Sequence, residues 1–255
     1  MRHHDLWCTV EEIFDGCDYL FHLAAKTSVL KSVEDPINYN KTNINGTLKV
    51  LEAAKNVGIK KVVFSSSSAV YGESKILPIP ESAPLNPLSP YAVTKAAGEL
   101  YCNVFTEVYG LPTISLRYFN VFGPRQDPNS PYAAVIPIFI QKMLENKRPV
   151  IYGDGEQTRD FVSVKNIVKA NILAAESKKT GAFNIGMGKG ITINELFRII
   201  KKLSGKDIEP IYKKERSGEI KHSVADINKA KKLGYDNLDS LEKDLIEAVK
   251  WFIKS

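Results

Sequence analysis

Lys61-Val-Val-Phe-Ser-Ser-Ser-Ser-Ala-Val-Tyr-Gly72 is the stretch that decides the fold. It opens with β-branched and aromatic residues, which is typical of a short buried strand, and it continues into a run of serines. After a Pro-rich loop, Pro90 begins a helical pattern that runs to about Tyr109, with Gly110 as its stop. A buried strand followed by a long helix indicates a parallel sheet that helices cover.

The same alternation of strand and helix continues on both sides of this stretch. Upstream, Asp18–Ala25 has the pattern of a buried strand and Ile37–Val57 that of a crossover helix. Downstream, Thr113–Arg117 predicts a strand, and Asn120–Tyr132 is a loop rich in Gly, Pro, Asn and Asp. Further elements are expected near Val135–Glu145, Val150–Tyr152, Val164–Glu176, Thr192–Leu203 and Ser240–Ile253, the second a strand and the others helices. We therefore predict an α/β fold, a mostly parallel sheet with helices on both faces.

The composition excludes several classes of protein. The 255 residues carry a formal charge of +6, mostly from scattered lysines, without the Arg-rich face that a nucleic-acid backbone requires. Cys8, Cys17 and Cys102 form no metal-ligand or redox pattern, and His3 and His4 have no third ligand nearby in sequence. No apolar run approaches the roughly 18 residues of a membrane span. We expect a cytoplasmic protein without a metal or a nucleic-acid partner, whose positive charge suits an anionic small substrate.

Tyr91-Ala-Val-Thr-Lys95 places a tyrosine and a lysine on one face of the helix that Pro90 begins. A tyrosine with an ordinary pKa of about 10 is a poor base at neutral pH, and an ammonium nearby favours its phenolate. The spacing alone is more often an aromatic beside a solvated lysine. It becomes specific with the serine run, because ligands bind at the carboxyl edge of parallel strands, where the Ser67 hydroxyl would meet the same substrate oxygen as Tyr91.

Six segments occur in the order in which one protein family has them. They are His22-Leu-Ala-Ala25, Asn43-Ile-Asn-Gly-Thr47, the serine run, Leu88-Ser-Pro-Tyr-Ala-Val-Thr-Lys95, Leu116-Arg-Tyr-Phe-Asn-Val-Phe-Gly-Pro124 and Gly153-Asp-Gly-Glu-Gln-Thr-Arg-Asp-Phe161. From about Thr9 to its C-terminus the chain thus resembles the extended short-chain dehydrogenases. Within them it is most similar to the Rossmann-like nucleotide-sugar epimerases and dehydratases, in particular the UDP-hexose 4-epimerases.

The resemblance implies a role for each matching position. The catalytic residues would be Ser67, Tyr91 and Lys95. NAD would be contacted by Ala24, Ala25, Asn43, Tyr91, Lys95 and Phe119. The UDP-sugar would be bound by Ser67, Asn120, Arg159, Arg216, Glu219 and Ser223. The two arginines suit its diphosphate, because a guanidinium meets phosphate oxygens with forked hydrogen bonds, although a single arginine in such a turn is more often a surface ion-pair donor.

The implied reaction is inversion at C4 of a UDP-sugar through a transient 4-keto sugar, with bound NAD recycled. Family dehydratases need an acidic pair just after the catalytic hydroxyl. Here those positions are Ser68 and Ala69, which disfavours dehydratase and decarboxylase activity. Ser223 falls where UDP-galactose 4-epimerases carry a bulky residue, and a small side chain leaves room for an N-acetyl group. We expect interconversion of UDP-GlcNAc and UDP-GalNAc, with UDP-Glc and UDP-Gal as the alternative pair.

The family's N-terminal strand, Gly-rich turn and helix, which receive the NAD pyrophosphate, have no match in this sequence. Gly153-Asp-Gly155 and Gly186-Met-Gly188 lie too far downstream to replace them. The alternatives are a truncated or mis-assigned start, an inactive paralogue that only binds a nucleotide sugar, and a chain completed by a separate segment.

The same resemblance implies the organisation of the chain, a doubly wound parallel sheet with a smaller C-terminal substrate-binding lobe. Residues 1–119 would form the N-terminally incomplete Rossmann-like NAD domain, with residues 157–176 returning to it, and residues 120–255 would mainly form the substrate lobe. Tyr19–Leu23 would lie at an exposed edge of the sheet. The family further implies a homodimer that packs through the Tyr91 helix and its neighbour.

Overall fold

The computed structural model describes residues 11–128, 134–215, 220–236 and 239–254. The strands in chain order are β1 (Tyr19–His22), β2 (Lys61–Ser67), β3 (Thr113–Tyr118), β4 (Asn120–Phe122), β5 (Val150–Tyr152), β6 (Thr158–Arg159), β7 (Phe161–Ser163), β8 (Gly181–Ile185), β9 (Ile191–Thr192), β10 (Ile211–Lys213) and β11 (His222–Ser223). The α-helices are α1 (Glu11–Phe14), α2 (Val29–Glu34), α3 (Pro36–Asn40), α4 (Gly46–Asn56), α5 (Pro90–Tyr109), α6 (Val135–Leu144), α7 (Val164–Glu176), α8 (Ile193–Ser204), α9 (Asn228–Lys231) and α10 (Leu241–Lys254). A π-helical segment (Lys41–Asn45) and a 3₁₀ turn (Ser68–Tyr71) complete them.

A four-stranded parallel sheet in the order β1-β2-β3-β8 carries the first part of the molecule. Side chains of β2 alternate across it, so that Val62 and Phe64 pack with α4 and α5 while Val63 packs with α7 on the other face. Helices on both faces of a parallel sheet confirm the predicted fold class. Among the described residues β1 is an edge strand, as predicted, and its Tyr19 and Phe21 are each 43% exposed.

Strand β8 is an addition to the predicted sheet. Its residues pair in parallel with β3, from Gly181 opposite Ile114 to Ile185 opposite Tyr118. The predicted return of residues 157–176 to the sheet domain therefore stops too early along the chain. A segment that contains a glycine and an asparagine has a weak strand pattern, and the long-range pairing with β3 decides its conformation.

The predicted crossover helix Ile37–Val57 is not one regular helix. It consists of α3, the π-helical segment and α4, without a break in the chain direction. A π-helical turn inside an α-helix is rare and is frequent at functional sites. Here it contains Asn43, one of the predicted cofactor contacts.

The second lobe has its own core beneath three small sheets. Helices α6, α8 and α10 pack around Phe139, Ile140, Leu196 and Leu245. Strand β4 pairs with β7, β5 pairs with β10, and β6 lies between β9 and β11. Several of these strands have only two or three residues, too short for a sequence pattern to predict. Within the described ranges, the helices are all too short or too polar to cross a membrane.

Candidate active site

Ser67 and Tyr91, which lie far apart in sequence, meet at the carboxyl end of β2. Helix α5 begins just before Tyr91, where the Ser89 hydroxyl accepts a hydrogen bond from the Ala92 amide at 3.2 Å. Tyr91 is 9% exposed, and the Ser67 side chain lies close enough to its hydroxyl to favour a lower pKa of Tyr91. The predicted pair is therefore assembled at the edge of the sheet where ligands of parallel strands bind.

Lys95 lies one turn further along α5 and is 3% exposed. Its Nζ donates to the Ser65 carbonyl at 2.6 Å and lies 6.0 Å from the centroid of the Tyr91 ring. Burial lowers the pKa of Lys95 to about 8. Ser67, Tyr91 and Lys95 thus form one cluster, with the lysine behind the tyrosine.

The pKa of Tyr91 differs from the expectation drawn from the sequence. The ammonium of Lys95 was expected to lower it, but burial raises the pKa of Tyr91, and the nearby Ser67 side chain opposes the rise only in part. The reason is geometric. Lys95 directs its charge at the Ser65 carbonyl, and desolvation of the phenolate dominates at this depth.

Asn43 holds the chain that follows β1. Its Oδ1 accepts from the Lys26 amide at 2.8 Å, and its Nδ2 donates to the Lys26 carbonyl at 2.9 Å and to Thr94 Oγ1 at 3.0 Å. It thereby ties the loop that carries Ala24 and Ala25 to the first turn of α5. In the structure the amide of Asn43 binds protein groups on every side, which makes it a positioning group for that loop.

The residues at this edge fit the nicotinamide-ribose end of NAD. An ammonium carries three N–H donors, and the buried Nζ of Lys95 uses one of them on a described protein group, the Ser65 carbonyl. Lys95 Nζ lies 5.1 Å from the centroid of the Phe64 ring and 6.0 Å from that of Tyr91, and its other two N–H groups would be donors for ribose hydroxyls. Ala24 is exposed and Ala25 half-buried at the end of β1, whereas the Phe119 side chain is buried among Val70, Tyr71 and Ile79.

Three residues predicted to bind the sugar nucleotide are joined through Asp160. The amide of Asn120 donates to the Asp160 carbonyl at 3.0 Å, and the amide of Asp160 donates to the Ser223 carbonyl at 2.9 Å. Ser223 pairs directly with Arg159 between β11 and β6. The structure thus brings Asn120, Arg159 and Ser223 together, while Arg216 and Glu219 lie outside the described residues.

Asp160 itself was not predicted, although it is completely buried. Its carboxylate accepts from the amides of Met187, Gly188 and Ala225 at 2.7, 2.9 and 3.1 Å. Burial raises its pKa to about 6, and these hydrogen bonds oppose the rise. A Cβ at Gly186 would lie 2.6 Å from Asp160 Oδ2. The Gly186-Met-Gly188 segment therefore binds a buried carboxylate. The sequence feature that could have predicted Asp160 is an acidic residue between Arg159 and an apolar strand.

A surface pocket of about 230 Å³ opens beside β6. Its lining includes Tyr152, Gly153, Gln157 and His222, from β5, the following turn and β11. The His222 ring and Thr158 Oγ1 are 2.9 Å apart, and Gln157 Nε2 donates to the Tyr152 carbonyl at 2.8 Å. The pocket lies next to the strand that carries Arg159.

No group of three or more His, Cys, Asp or Glu side chains in the described part of the chain has the arrangement of a metal site. His3 and His4 lie outside the described residues.

The chain matches known proteins over most of its length. The family model described as "NAD dependent epimerase/dehydratase family" matches residues 5–186. A UDP-N-acetylglucosamine 4-epimerase of Methanobrevibacter ruminantium, solved in complex with UDP-N-acetylmuramic acid, is 55% identical with a TM-score of 0.96, covering 98% of this chain and 82% of that one.

Two further solved structures agree with this match. A UDP-glucose 4-epimerase of Thermotoga maritima, solved with UDP-glucose, is 44% identical with a TM-score of 0.93, covering 96% of this chain and 81% of that one. A UDP-glucose 4-epimerase of Thermus thermophilus, solved with NAD, is 34% identical with a TM-score of 0.88, covering 98% of this chain and 83% of that one. These matches confirm the family that the sequence motifs predicted.

Proposed function

The chain belongs to the NAD dependent epimerase/dehydratase family, and we propose that it is a UDP-sugar 4-epimerase that prefers UDP-GlcNAc and UDP-GalNAc. The observation that carries the proposal is the buried Tyr91, which lies beside Ser67 and one helical turn from buried Lys95. This arrangement supports proton transfer at a sugar hydroxyl.

Each residue of the cluster has a separate task in the proposed mechanism. Tyr91 takes the proton of the sugar 4-hydroxyl and returns it after the 4-keto sugar has turned over. Ser67 holds the same oxygen with a hydrogen bond, and Lys95 supplies positive charge next to the developing phenolate. When bound, NAD would supply a reversible acceptor for the C4 hydride, so that the reaction would leave no net oxidation. Ala24 and Ala25 would contact it after β1, and Asn43 would hold their loop in place. Phe119 stays a predicted contact, although its side chain packs among Val70, Tyr71 and Ile79.

The residues after Ser67 favour epimerisation over dehydration. The Ser67 hydroxyl accepts a hydrogen bond from the Ala69 amide at 3.2 Å and caps the start of the 3₁₀ turn that contains Ser68 and Ala69. Neither side chain can protonate and expel a sugar hydroxyl at neutral pH. A dehydratase would need an acid at this point.

The choice of sugar rests on Ser223 and its surroundings. Ser223 is 8% exposed and lies opposite Arg159, our candidate for the diphosphate. A serine leaves room beside the sugar that a large side chain would fill. The relative from Methanobrevibacter ruminantium is a UDP-N-acetylglucosamine 4-epimerase. This likeness supports an N-acetylhexosamine substrate for the present chain, with the nucleotide directed toward the pocket beside β6.

Turnover of the two sugar pairs by the NAD-loaded protein tests the proposal. Wild type is expected to interconvert UDP-GlcNAc and UDP-GalNAc, measured by ¹H NMR of the anomeric protons, whereas Tyr91→Phe binds UDP and turns over neither pair. Ser223→Tyr should lower kcat/KM for UDP-GlcNAc about tenfold or more and spare UDP-Glc, because the added ring occupies the space of the acetyl group.

Ser223→Ala is the matched control, since it keeps the small side chain and should keep the preference. Equal losses on both sugars in Ser223→Tyr would contradict the assignment of this position. A wild-type protein that binds both UDP-sugars and NAD and turns over neither would contradict the proposed activity.

A further inference from the structure

Three successive turns of α5 touch three successive residues at the end of β2. Tyr91 lies beside Ser67, Lys95 donates to the Ser65 carbonyl, and Glu99 accepts from the Ser66 hydroxyl. A step of four residues keeps all three helix side chains on one face. Glu99 is therefore the third side chain on the α5 face that carries the proposed catalytic residues Tyr91 and Lys95.

Glu99 is held far more firmly than the other two. Arg117 Nε donates to Glu99 Oε1 at 2.9 Å and Oε2 at 3.1 Å, and Arg117 Nη2 donates to Oε2 at 2.6 Å. The two side chains are 6% and 4% exposed. Arg117 lies on β3 directly opposite Ser66 of β2. One carboxylate thus binds two neighbouring strands to the catalytic helix with hydrogen bonds of the strong, charge-assisted kind.

The guanidinium of Arg117 also begins a chain of hydrogen bonds that leads toward the substrate lobe. Arg117 Nη1 donates to the Tyr71 hydroxyl at 2.7 Å, which donates to Asn184 Oδ1 at 2.6 Å. Asn184 Nδ2 donates to the Ile79 carbonyl at 2.8 Å, and the Ile79 amide donates to the Val224 carbonyl at 2.8 Å. Val224 follows Ser223. A continuous set of buried hydrogen bonds therefore joins Glu99 to the strand beside Arg159.

Glu99 also contributes negative charge that favours the ammonium form of Lys95. Besides Tyr91, the ionisable groups around the ammonium are His22 on β1 and Cys102 and Glu99 on α5. Burial lowers the pKa of His22 to about 4 and raises that of Cys102 to about 12, so both are uncharged at neutral pH. Against the desolvation of Lys95, Glu99 is thus the carboxylate that favours the ammonium form.

We propose that Glu99, held by Arg117, is the positioning residue of this active site: it fixes the end of β2 against α5, so that Ser67 meets Tyr91 and the Ser65 carbonyl meets Lys95. The inference rests on the proposed function for its catalytic meaning, since the position of Lys95 matters there for the charge beside Tyr91. Glu99 touches neither sugar nor cofactor in this assignment and acts through the serines and Lys95.

The test is the titration of Lys95 in Glu99→Gln, which keeps the size of the side chain and removes its charge. The signal is the ¹³Cε resonance of Lys95 in lysine-labelled protein, assigned by its loss in Lys95→Met. We expect the Lys95 midpoint to fall by about one pH unit or more, because a nearby opposite charge is lost. In the epimerase assay the kcat of Glu99→Gln should be lower than that of wild type at neutral pH, and the difference should be largest at high pH. KM for the UDP-sugar should stay within about twofold.

Glu107→Gln is the matched control, because it makes the same change on an exposed position of the same helix and should move neither readout. If Glu99→Gln alone is too unstable, the double variant Glu99→Gln, Arg117→Met removes both buried charges and should regain stability without regaining the Lys95 midpoint. A Lys95 midpoint that stays at the wild-type value in these folded variants overturns the positioning role. If Glu99→Gln shifts the Lys95 midpoint but the wild-type protein has no epimerase activity, the positioning role is supported and the proposed function is overturned.

Discussion

Lys95 carries an ionisable group into one of the most buried places of the molecule. Its pKa of about 8 instead of 10.5 means that burial disfavours the charged form, at a cost of roughly 3 kcal/mol of folding stability. The unfolded chain binds the proton more tightly, so the cost is complete below about pH 8 and falls as the pH rises toward 10.5. Stability attributable to this group therefore increases with pH across that range.

Lys95→Met is expected to be more stable than wild type at pH 7, by about 1 to 3 kcal/mol, because methionine fills the same space without a charge to desolvate. Most of the gain should be gone at pH 10. Urea unfolding at the two pH values measures the difference. Lys250→Met, at an exposed position on α10, is the control and should stay within about 0.5 kcal/mol of wild type at both. A gain of the same size at both pH values would trace the effect to packing and not to the buried charge.

Among the elements, α5 and β2 lie unusually close because of Gly98. A Cβ at this position would lie 2.4 Å from Cζ of Phe64. The close approach lets the short side chains of Ser66 and Ser67 reach Glu99 and Tyr91 across the interface. A glycine inside a helix weakens it by about 1 kcal/mol relative to alanine, so helix propensity alone would favour its replacement.

Gly98→Ala should nevertheless destabilise the protein, by about 1 to 3 kcal/mol, because the Phe64 ring or the helix must move. Chemical denaturation gives the free energy of unfolding directly. Asn103→Ala, at an exposed position of the same helix, provides the comparison and should stabilise by a few tenths of a kcal/mol. If Gly98→Ala behaved like Asn103→Ala, close packing of α5 against Phe64 would not be what requires the glycine.

For the molecule as a whole, the outer face of α5 is an apolar stripe. Val93, Leu100, Val104 and Val108 follow helical spacing and are 45 to 68% exposed. Ile37 on neighbouring α3 is 80% exposed. Contiguous apolar surface of this kind on a helix pair is typical of a protein interface. The homodimer implied by family resemblance stays a prediction, and this stripe is the surface that would form it.

Leu100→Glu should therefore convert a dimer into a monomer, because a carboxylate cannot be buried unpaired at an apolar interface. Light scattering coupled to size-exclusion chromatography gives the mass of each form. Ile253→Glu places the same charge on an exposed apolar position of α10 and should leave the mass unchanged. A wild-type protein that elutes as a monomer at micromolar concentration would rule out the stripe as a stable interface.

Local patterns in the sequence predicted strands β1, β2 and β3, helix α5, and the positions of Ser67 at the end of β2 and of Tyr91 and Lys95 on one face of α5. Strand and helix periods, capping residues and a four-residue spacing act over one or two turns, so the chain displays them without its folded context. The alternation of strands and helices predicted the α/β fold class, which the structure confirmed, and the family motifs added the expected role of each site residue.

Tertiary structure alone decided the features that join distant residues. These are the pairing of β8 with β3, the Asp160 carboxylate among three segments, the pairing of Ser223 with Arg159, and the contact of Glu99 with Arg117. It also reversed the expected shift in the pKa of Tyr91, because desolvation depends on burial and not on a neighbour four residues away. The sequence determined which groups are available for chemistry, and the folded structure determined how deeply they are buried and which charges face them.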